Sequence, residues 1–480
     1  MTRVTRPLGR LAGLLLLAAL AALAGAVGCG SAATNARRPD VIVVVLDTIR
    51  VDRTSVFDRA RETTPFLAEF ADGSVVFDNA WSTSSWTAPA VASLFTGVYP
   101  SQHGVDVGVW LFQRLKDERP QLQLKRIPES LDTLPEVFRA SGYTTFGIAD
   151  NPNISSAEGF ASGFDRFASA DYRGAAEVNS LLERWQPEIE RASPAFVYLH
   201  YMDAHWPYHP HAAERKPDET PRTPEAEVAA YDSELRYLDD HLRRALAALD
   251  PAGDAVVVIV SDHGEELYER GSAMEHRQHG FQLYDELSRV LWLLRDPEQS
   301  PQRSAVPASL IDVLPTLRAR IGLPADPNSS GIDLLGTSGE RAAADRPLFA
   351  SRREVVGPDR VLRAVVQQGW KYLRVESTTR SSSGSTSPST REELYDLRVD
   401  PVERRDRSQA EPDRLASMRA RLREFDRAAR RWEPEAASLD VSPEQADRLR
   451  ALGYADPEEQ QSPRASTATP SQATPSGPQP

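Results

Sequence analysis

The chain has 480 residues, 56 Lys and Arg against 69 Asp and Glu for a formal net charge of -13, and one cysteine. That length suits one large domain with attachments. The acidic balance argues against broad nucleic-acid binding, whose usual footprint is a basic face, and a lone cysteine excludes an internal disulfide.

Arg3, Arg6 and Arg10 precede an apolar run from Leu11 to Val27, the charge and hydropathy profile of a secretory signal. The run ends in Ala26-Val27-Gly28-Cys29. This resembles a bacterial lipobox, in which Cys29 carries a lipid and becomes the first mature residue. Residues 1–28 then read as signal peptide and residues 29–38 as a polar tether. The alternative is an uncleaved anchor, because the run is just long enough to span a bilayer. Both readings export the domain to the bacterial cell envelope, attached to a membrane.

Four apolar runs follow, each breaking off into acidic, hydroxyl or histidine residues. Val41 to Leu46 ends at Asp47, and Thr144 to Ala149 ends at Asp150 and Asn151. Ala195 to Tyr201 ends at Asp203 and His205, and Ala255 to Val260 ends at Ser261, Asp262 and His263. Short β-branched runs of this kind read as strands buried on both faces of a parallel sheet. Ligands bind beyond the carboxyl ends of such strands, so these residues can meet there although they are far apart in the chain.

Between the first two runs, Ser84 to Gly97 sets a Ser/Thr cluster before a proline, a small-residue stretch and a glycine, which predicts a helix. Thr87 is placed at or near its N-cap. Taken alone, the segment favours a plain capping threonine, although the same position attracts a tetrahedral oxyanion. Toward the C-terminus, Trp370 to Arg374 and Leu394 to Leu397 predict a hairpin joined by a Ser/Thr-rich loop over 375–391. Leu415, Met418, Leu422, Phe425 and Ala429 recur at helical spacing, predicting an amphipathic helix over 412–432. Residues 456–480, rich in Pro, Ser, Thr and Gln, read as a disordered tail.

In order, several segments together resemble the sulfatase branch of the alkaline phosphatase superfamily. They are Asp40 to Asp52 (DVIVVVLDTIRVD), Ser85 to Gly97 (SWTAPAVASLFTG), Leu199 to Tyr208 (LHYMDAHWPY), Ser261 to Glu266 (SDHGEE) and His279 to Val290 (HGFQLYDELSRV). Weaker echoes lie in Ser309 to Leu317, Gly369 to Leu373 and Glu393 to Glu403. The resemblance implies an α/β sandwich, a central mostly parallel sheet flanked by helices, with a smaller C-terminal sheet subdomain. It divides the chain into a catalytic domain at 39–345 and a C-terminal subdomain at 346–455. It also implies a divalent metal ion, Zn, Mn, Mg or Ca, held by Asp47, Thr87, Asp262 and His263, with Thr87 as nucleophile. His205 and His279 fall where the family places substrate-binding side chains. A second metal site from Asp203, His205 and His279 is the alternative, and the two-residue spacing of the first pair favours a single ion.

Departures from the sulfatase pattern bear on the substrate. Sulfatases carry a Cys or Ser that is oxidised to formylglycine, in a C/S-x-P-x-R pattern. Here those positions hold Thr87, Pro89 and Val91. Threonine cannot form that aldehyde. The second aspartate of the usual pair is Thr48, and the lysine before Gly280 is His279. The resemblance therefore shifts toward threonine-nucleophile members such as lipoteichoic acid synthase, phosphoethanolamine transferases and nucleotide phosphodiesterases. It implies phosphate esters or diesters as the anionic substrate. Sulfate ester hydrolysis and a catalytically silent surface-binding lipoprotein are the alternatives.

Overall fold

A computed structural model describes residues 38–208, 223–270, 279–335, 344–356, 359–380 and 386–437. The signal segment, Cys29 and the 456–480 tail lie outside the described residues.

The strands, in chain order, are β1 (Val41–Leu46), β2 (Val75–Phe77), β3 (Ala80–Trp81), β4 (Thr144–Ala149), β5 (Arg166–Ser169), β6 (Ala195–Tyr201) and β7 (Val256–Ser261). They continue with β8 (Trp292–Arg295), β9 (Gln302–Ser304), β10 (Ala308–Ser309), β11 (Leu348–Glu354), β12 (Asp359–Gln367), β13 (Trp370–Arg380) and β14 (Thr386–Asp396). The main sheet runs β5-β4-β6-β1-β7-β8-β2-β9. Its first five strands are parallel, and β8 alone runs against its neighbours β7 and β2. All four predicted runs are therefore central or near-central strands. Their apolar character follows from burial on both faces.

Alternation along β1 separates the two cores. Val41, Val43 and Val45 pack with Ala88, Val91 and Leu94 of the Thr87–Thr96 helix. Ile42, Val44 and Leu46 pack with Val178 and Leu182 of the Ala175–Ile189 helix and with Tyr231, Leu235 and Leu242 of the Pro224–Leu249 helix. With a period of two, Asp47 continues the first set, facing the Thr87 helix.

The register aligns the carboxyl ends. Leu46 stands opposite Tyr201 on one side and Ser261 on the other, and Ala149 stands opposite His200. Residues immediately after β1 and β7 therefore emerge side by side.

The C-terminal sheet is antiparallel, in the order β11-β12-β13-β14. The predicted hairpin is there, with Trp370 opposite Asp396. Its strands extend well into the Ser/Thr-rich segment, pairing Val375 with Arg391 and Ser377 with Ser389, so the expected loop over 375–391 is much shorter. Serine and threonine supply backbone groups to a ladder as readily as other residues, and composition alone hid this. The predicted C-terminal helix spans Pro412–Ala428 and buries Met418 and Leu422 against Tyr372 and Leu394.

Candidate active site

Thr87 is the first residue of its helix, following Trp86 at the N-cap, and Gly97 in the left-handed conformation closes the other end. The Thr87 hydroxyl does not cap. It lies 3.3 Å from His263 Nε2, 3.4 Å from Asp47 Oδ2 and 3.2 Å from Asn151 Nδ2, which donates to it. Helix start and hydroxyl thus point at the same small volume, where the positive end of the helix dipole favours an anion.

Asp47 and Asp262 come together as the register requires. His263 Nε2 is 3.7 Å from Asp47 Oδ1 and 3.4 Å from Asp262 Oδ2. The other nitrogen of His263 donates to the Gly264 carbonyl at 2.9 Å. A carbonyl only accepts, so Nδ1 carries a proton, and in the neutral ring Nε2 offers its lone pair toward the two carboxylates. His205 is arranged alike, its Nδ1 donating to the Trp206 carbonyl at 2.5 Å. His279 Nδ1 meets Glu265 Oε1 at 3.2 Å. The His279 ring lies 4.5 Å from that of His263 and 4.8 Å from that of His205, and it rests 5.2 Å from Trp86. Gly280 is required beside it, since a Cβ there would stand 2.4 Å from the Trp86 ring and its φ is +87°.

The described residues fit a divalent cation. Asp47 and Asp262 are fully buried, and Asp47 Oδ1 and Asp262 Oδ2 have no hydrogen-bond partner. Burial and the neighbouring Asp262 charge push Asp47 well above the usual carboxylate range, and burial pushes Asp262 up to about 7. Two buried carboxylates with idle oxygens need a positive partner to stay ionised. His200 adds a further donor, with both ring nitrogens buried and unpartnered and Nε2 3.8 Å from Asp47 Oδ2. Ligand atoms of Asp47, His200 and Asp262 lie within 4.8 Å of one another. Carboxylate oxygens with imidazole suit several divalent ions.

His200 and Glu265 had no role in the sequence reading, and Asn151 appeared there only as a strand-end residue. His200 carried a legible signal, since it is the polar exception near the end of an apolar strand and shares a strand face with Tyr198. Asn151 donates to Asp47 Oδ2 at 2.6 Å as well as to Thr87. Glu265, pushed up to about 7 by burial, orients His279. Asp203 Oδ1 accepts the amide of Ala175 at 2.9 Å, which commits that oxygen to the backbone. Among the described residues, Asp203, His205 and His279 do not form a three-ligand cluster.

A family model described as Sulfatase matches residues 39–323. The chain belongs to the sulfatase family. As a member it is an ester hydrolase or phosphotransferase of the alkaline phosphatase superfamily, and the metal dependence of the family accords with the carboxylate pair. It is 23% identical to a Delta 4,5-hexuronate-2-O-sulfatase of Bacteroides thetaiotaomicron, over 78% of this chain and 86% of the relative. It is 24% identical to the phosphatidylethanolamine transferase Mcr-1 of Escherichia coli, over 61% of this chain and 57% of that one. Among solved structures, a phosphonate monoester hydrolase of Agrobacterium radiobacter superposes with a TM-score of 0.60 at 17% identity, covering 82% of this chain and 96% of that chain.

Against the sulfatase pattern, two substitutions have clear structural settings. Val91 is fully buried in the apolar core on the Thr87 helix, an uncharged side chain where the pattern has arginine. Thr48 adopts φ +57°, a conformation that a β-branched residue avoids. Its hydroxyl donates to the Asp47 carbonyl at 2.7 Å and its amide reaches Asp262 Oδ1 at 3.3 Å. Thr48 thus contributes an amide to the metal pole where a second aspartate would contribute a carboxylate.

Proposed function

We propose that this sulfatase-family enzyme acts on phosphate esters or diesters, with Thr87 as the nucleophile. The observation that carries the reading is the Thr87 hydroxyl at a helix N-terminus, facing Asp47 and His263 and held by Asn151, above a core in which Val91 replaces the arginine. Asn151 donates to the hydroxyl oxygen, which leaves the hydroxyl proton directed toward Asp47 or His263. Asp47, Asp262 and an imidazole from His263 or His200 would hold the divalent ion. When bound, that ion lowers the pKa of a nearby hydroxyl and neutralises charge on the transferred group.

Thr87 Oγ1 forms a bond to phosphorus as the ester P–O bond breaks, and the departing alcohol takes a proton. That proton is the one Thr87 Oγ1 releases toward Asp47 or His263, and His205 and His279, grouped beside His263, would hold the phosphate oxygens once protonated on Nε2. Water or a second alcohol then releases the phosphoryl group from Thr87. The transferase relative supports this reading, and the hexuronate sulfatase relative supports sulfate ester hydrolysis as the second one. A panel of aryl phosphate, aryl phosphodiester and aryl sulfate, assayed with Zn, Mn, Mg and Ca, separates them. Phosphate ester turnover well above sulfate turnover is expected, and dominant sulfate cleavage would overturn the proposal.

The N-terminal sequence supports an exported enzyme anchored through a lipid on Cys29. Palmitate labelling of the wild-type chain, lost in Cys29→Ala, is the expected result, and label in both would exclude that anchor.

A further inference from the structure

Residues 170–175 form a loop built at unusual conformational cost beside the candidate active site. Asp171 has φ +52° and Tyr172 has φ +57°, two consecutive non-glycine residues in the left-handed region, followed by Gly174 at φ +78°. Such conformations cost on the order of 1–3 kcal/mol each and persist only where surrounding structure imposes them.

The imposing groups are the two strand-end acids that the metal pole does not use. Tyr172 donates its amide to the Asp150 carbonyl at 2.9 Å. The amides of Arg173 and Gly174 go to Asp150 Oδ1 at 2.9 Å and Oδ2 at 3.1 Å, and the amide of Ala175 goes to Asp203 Oδ1 at 2.9 Å. Three successive amides are thereby fixed by two buried or half-buried carboxylates, and the amide before them by the Asp150 main-chain carbonyl. Gly174 has φ +78° and ψ -178°, a conformation open essentially to glycine, and a Cβ there would also stand 3.0 Å from Asp203 Oδ1.

What this clamp delivers is the ring of Tyr172. It is half-buried and meets His205 edge-on, with centroids 6.4 Å apart. From there the imidazoles of His205, His279 and His263 lead to Thr87 in steps of 4.8, 4.5 and 3.3 Å, the last measured from His263 Nε2 to Thr87 Oγ1. This row of rings offers a course along which the organic part of an anionic ester held at Thr87 can extend.

We propose that Tyr172 is a specificity-determining residue that packs against the organic group of the ester, and that Asp150 and Asp203 are positioning residues holding it there. The ligand class is an anionic ester whose organic group is a ring or comparably flat apolar body rather than a small alkyl group. The proposal rests on the Thr87-centred reading of the site, and its test is independent of which acid is transferred.

The probes are phenylphosphonate and methylphosphonate, which have no ester bond to cleave, titrated calorimetrically into the metal-supplied full chain. Tyr172→Asn removes the ring while keeping a residue that tolerates positive φ, Tyr172→Ala is the second ring-removing variant, and Tyr172→Phe is the conservative rescue. Ring removal is expected to lower the preference for phenyl over methyl about tenfold, the size of one aromatic contact. Tyr172→Phe is expected to restore it to within about twofold. If neither phosphonate binds, the phosphoryl reading has failed, and benzenesulfonate against methanesulfonate makes the same comparison. An unchanged aromatic preference in folded Tyr172→Asn and Tyr172→Ala, on whichever anion pair binds, would overturn the role of Tyr172.

Discussion

Asp47 and Asp262 follow β1 and β7, while Asp150 and Asp203 follow β4 and β6, all on the same edge of one sheet. The sharpest contrast is between the first pair and Asp150. The first pair keeps Asp47 Oδ1 and Asp262 Oδ2 buried without a hydrogen-bond partner, a costly state that a bound cation relieves. Asp150 gives both oxygens to backbone amides of the 170–175 loop, and Asp203 gives Oδ1 to the next amide. A strand-end carboxylate is therefore not chemical by position alone. What separates the Asp47 and Asp262 pair from Asp150 is that each of the pair keeps one buried oxygen with no hydrogen-bond partner, whereas Asp150 has both oxygens taken.

The largest effect expected from this contrast is at Thr87. Thr87→Ala should lose several powers of ten in turnover with little change in melting temperature, because the hydroxyl caps no amide. Thr87→Ser should retain measurable activity, and acid quench during turnover should trap a phosphorylated peptide containing residue 87. An active Thr87→Ala enzyme would remove this residue from the chemistry and leave a water as the attacking group.

Metal content comes next. Asp262→Asn and His263→Ala should each fold and lose most of the divalent ion measured by elemental analysis, along with nearly all activity. His200→Ala should also lower metal content, a result that tests whether the buried imidazole beside Asp47 is a ligand. Full retention of metal in all three would move the site elsewhere.

Asp150→Ala should behave in the reverse sense. Removing the acceptor strands two backbone amides and should cost about 2–4 kcal/mol in denaturant unfolding while the metal stays bound. Loss of metal with unchanged stability would erase the distinction between the two pairs.

The smallest effect concerns another amide-accepting carboxylate. Asp239, on the Pro224–Leu249 helix, takes the amides of Phe66 at 2.7 Å and Leu67 at 2.9 Å, and burial pushes it up to about 6. An acid with a raised folded pKa binds more protons folded than unfolded between about pH 4 and its folded value, so its contribution to stability falls as pH rises through that window. Asp239→Asn should flatten that slope in unfolding measured from pH 4 to 6. A slope identical to wild type would show that other groups set it.

By itself, the sequence determined the strands and the order of the motifs. Unbroken β-branched runs admit little but strands buried on both faces, and Ser84 to Gly97 carried its own helix start and stop. Asp47, Asp262 and His263 were legible as strand-end residues, whereas Thr87 taken alone read as a cap and became a candidate through the family resemblance. Tertiary structure decided the rest, since it depends on which strands are neighbours. Only the register that sets Leu46 opposite Tyr201 and Ser261 brings His200 to Asp47. Likewise, only the folded loop shows Asp150 and Asp203 occupied by amides. The same one-letter aspartate is a candidate metal ligand or a backbone clamp according to the donors that packing brings within hydrogen-bonding distance, and those donors come from residues remote in sequence or from backbone groups that have no sequence signature.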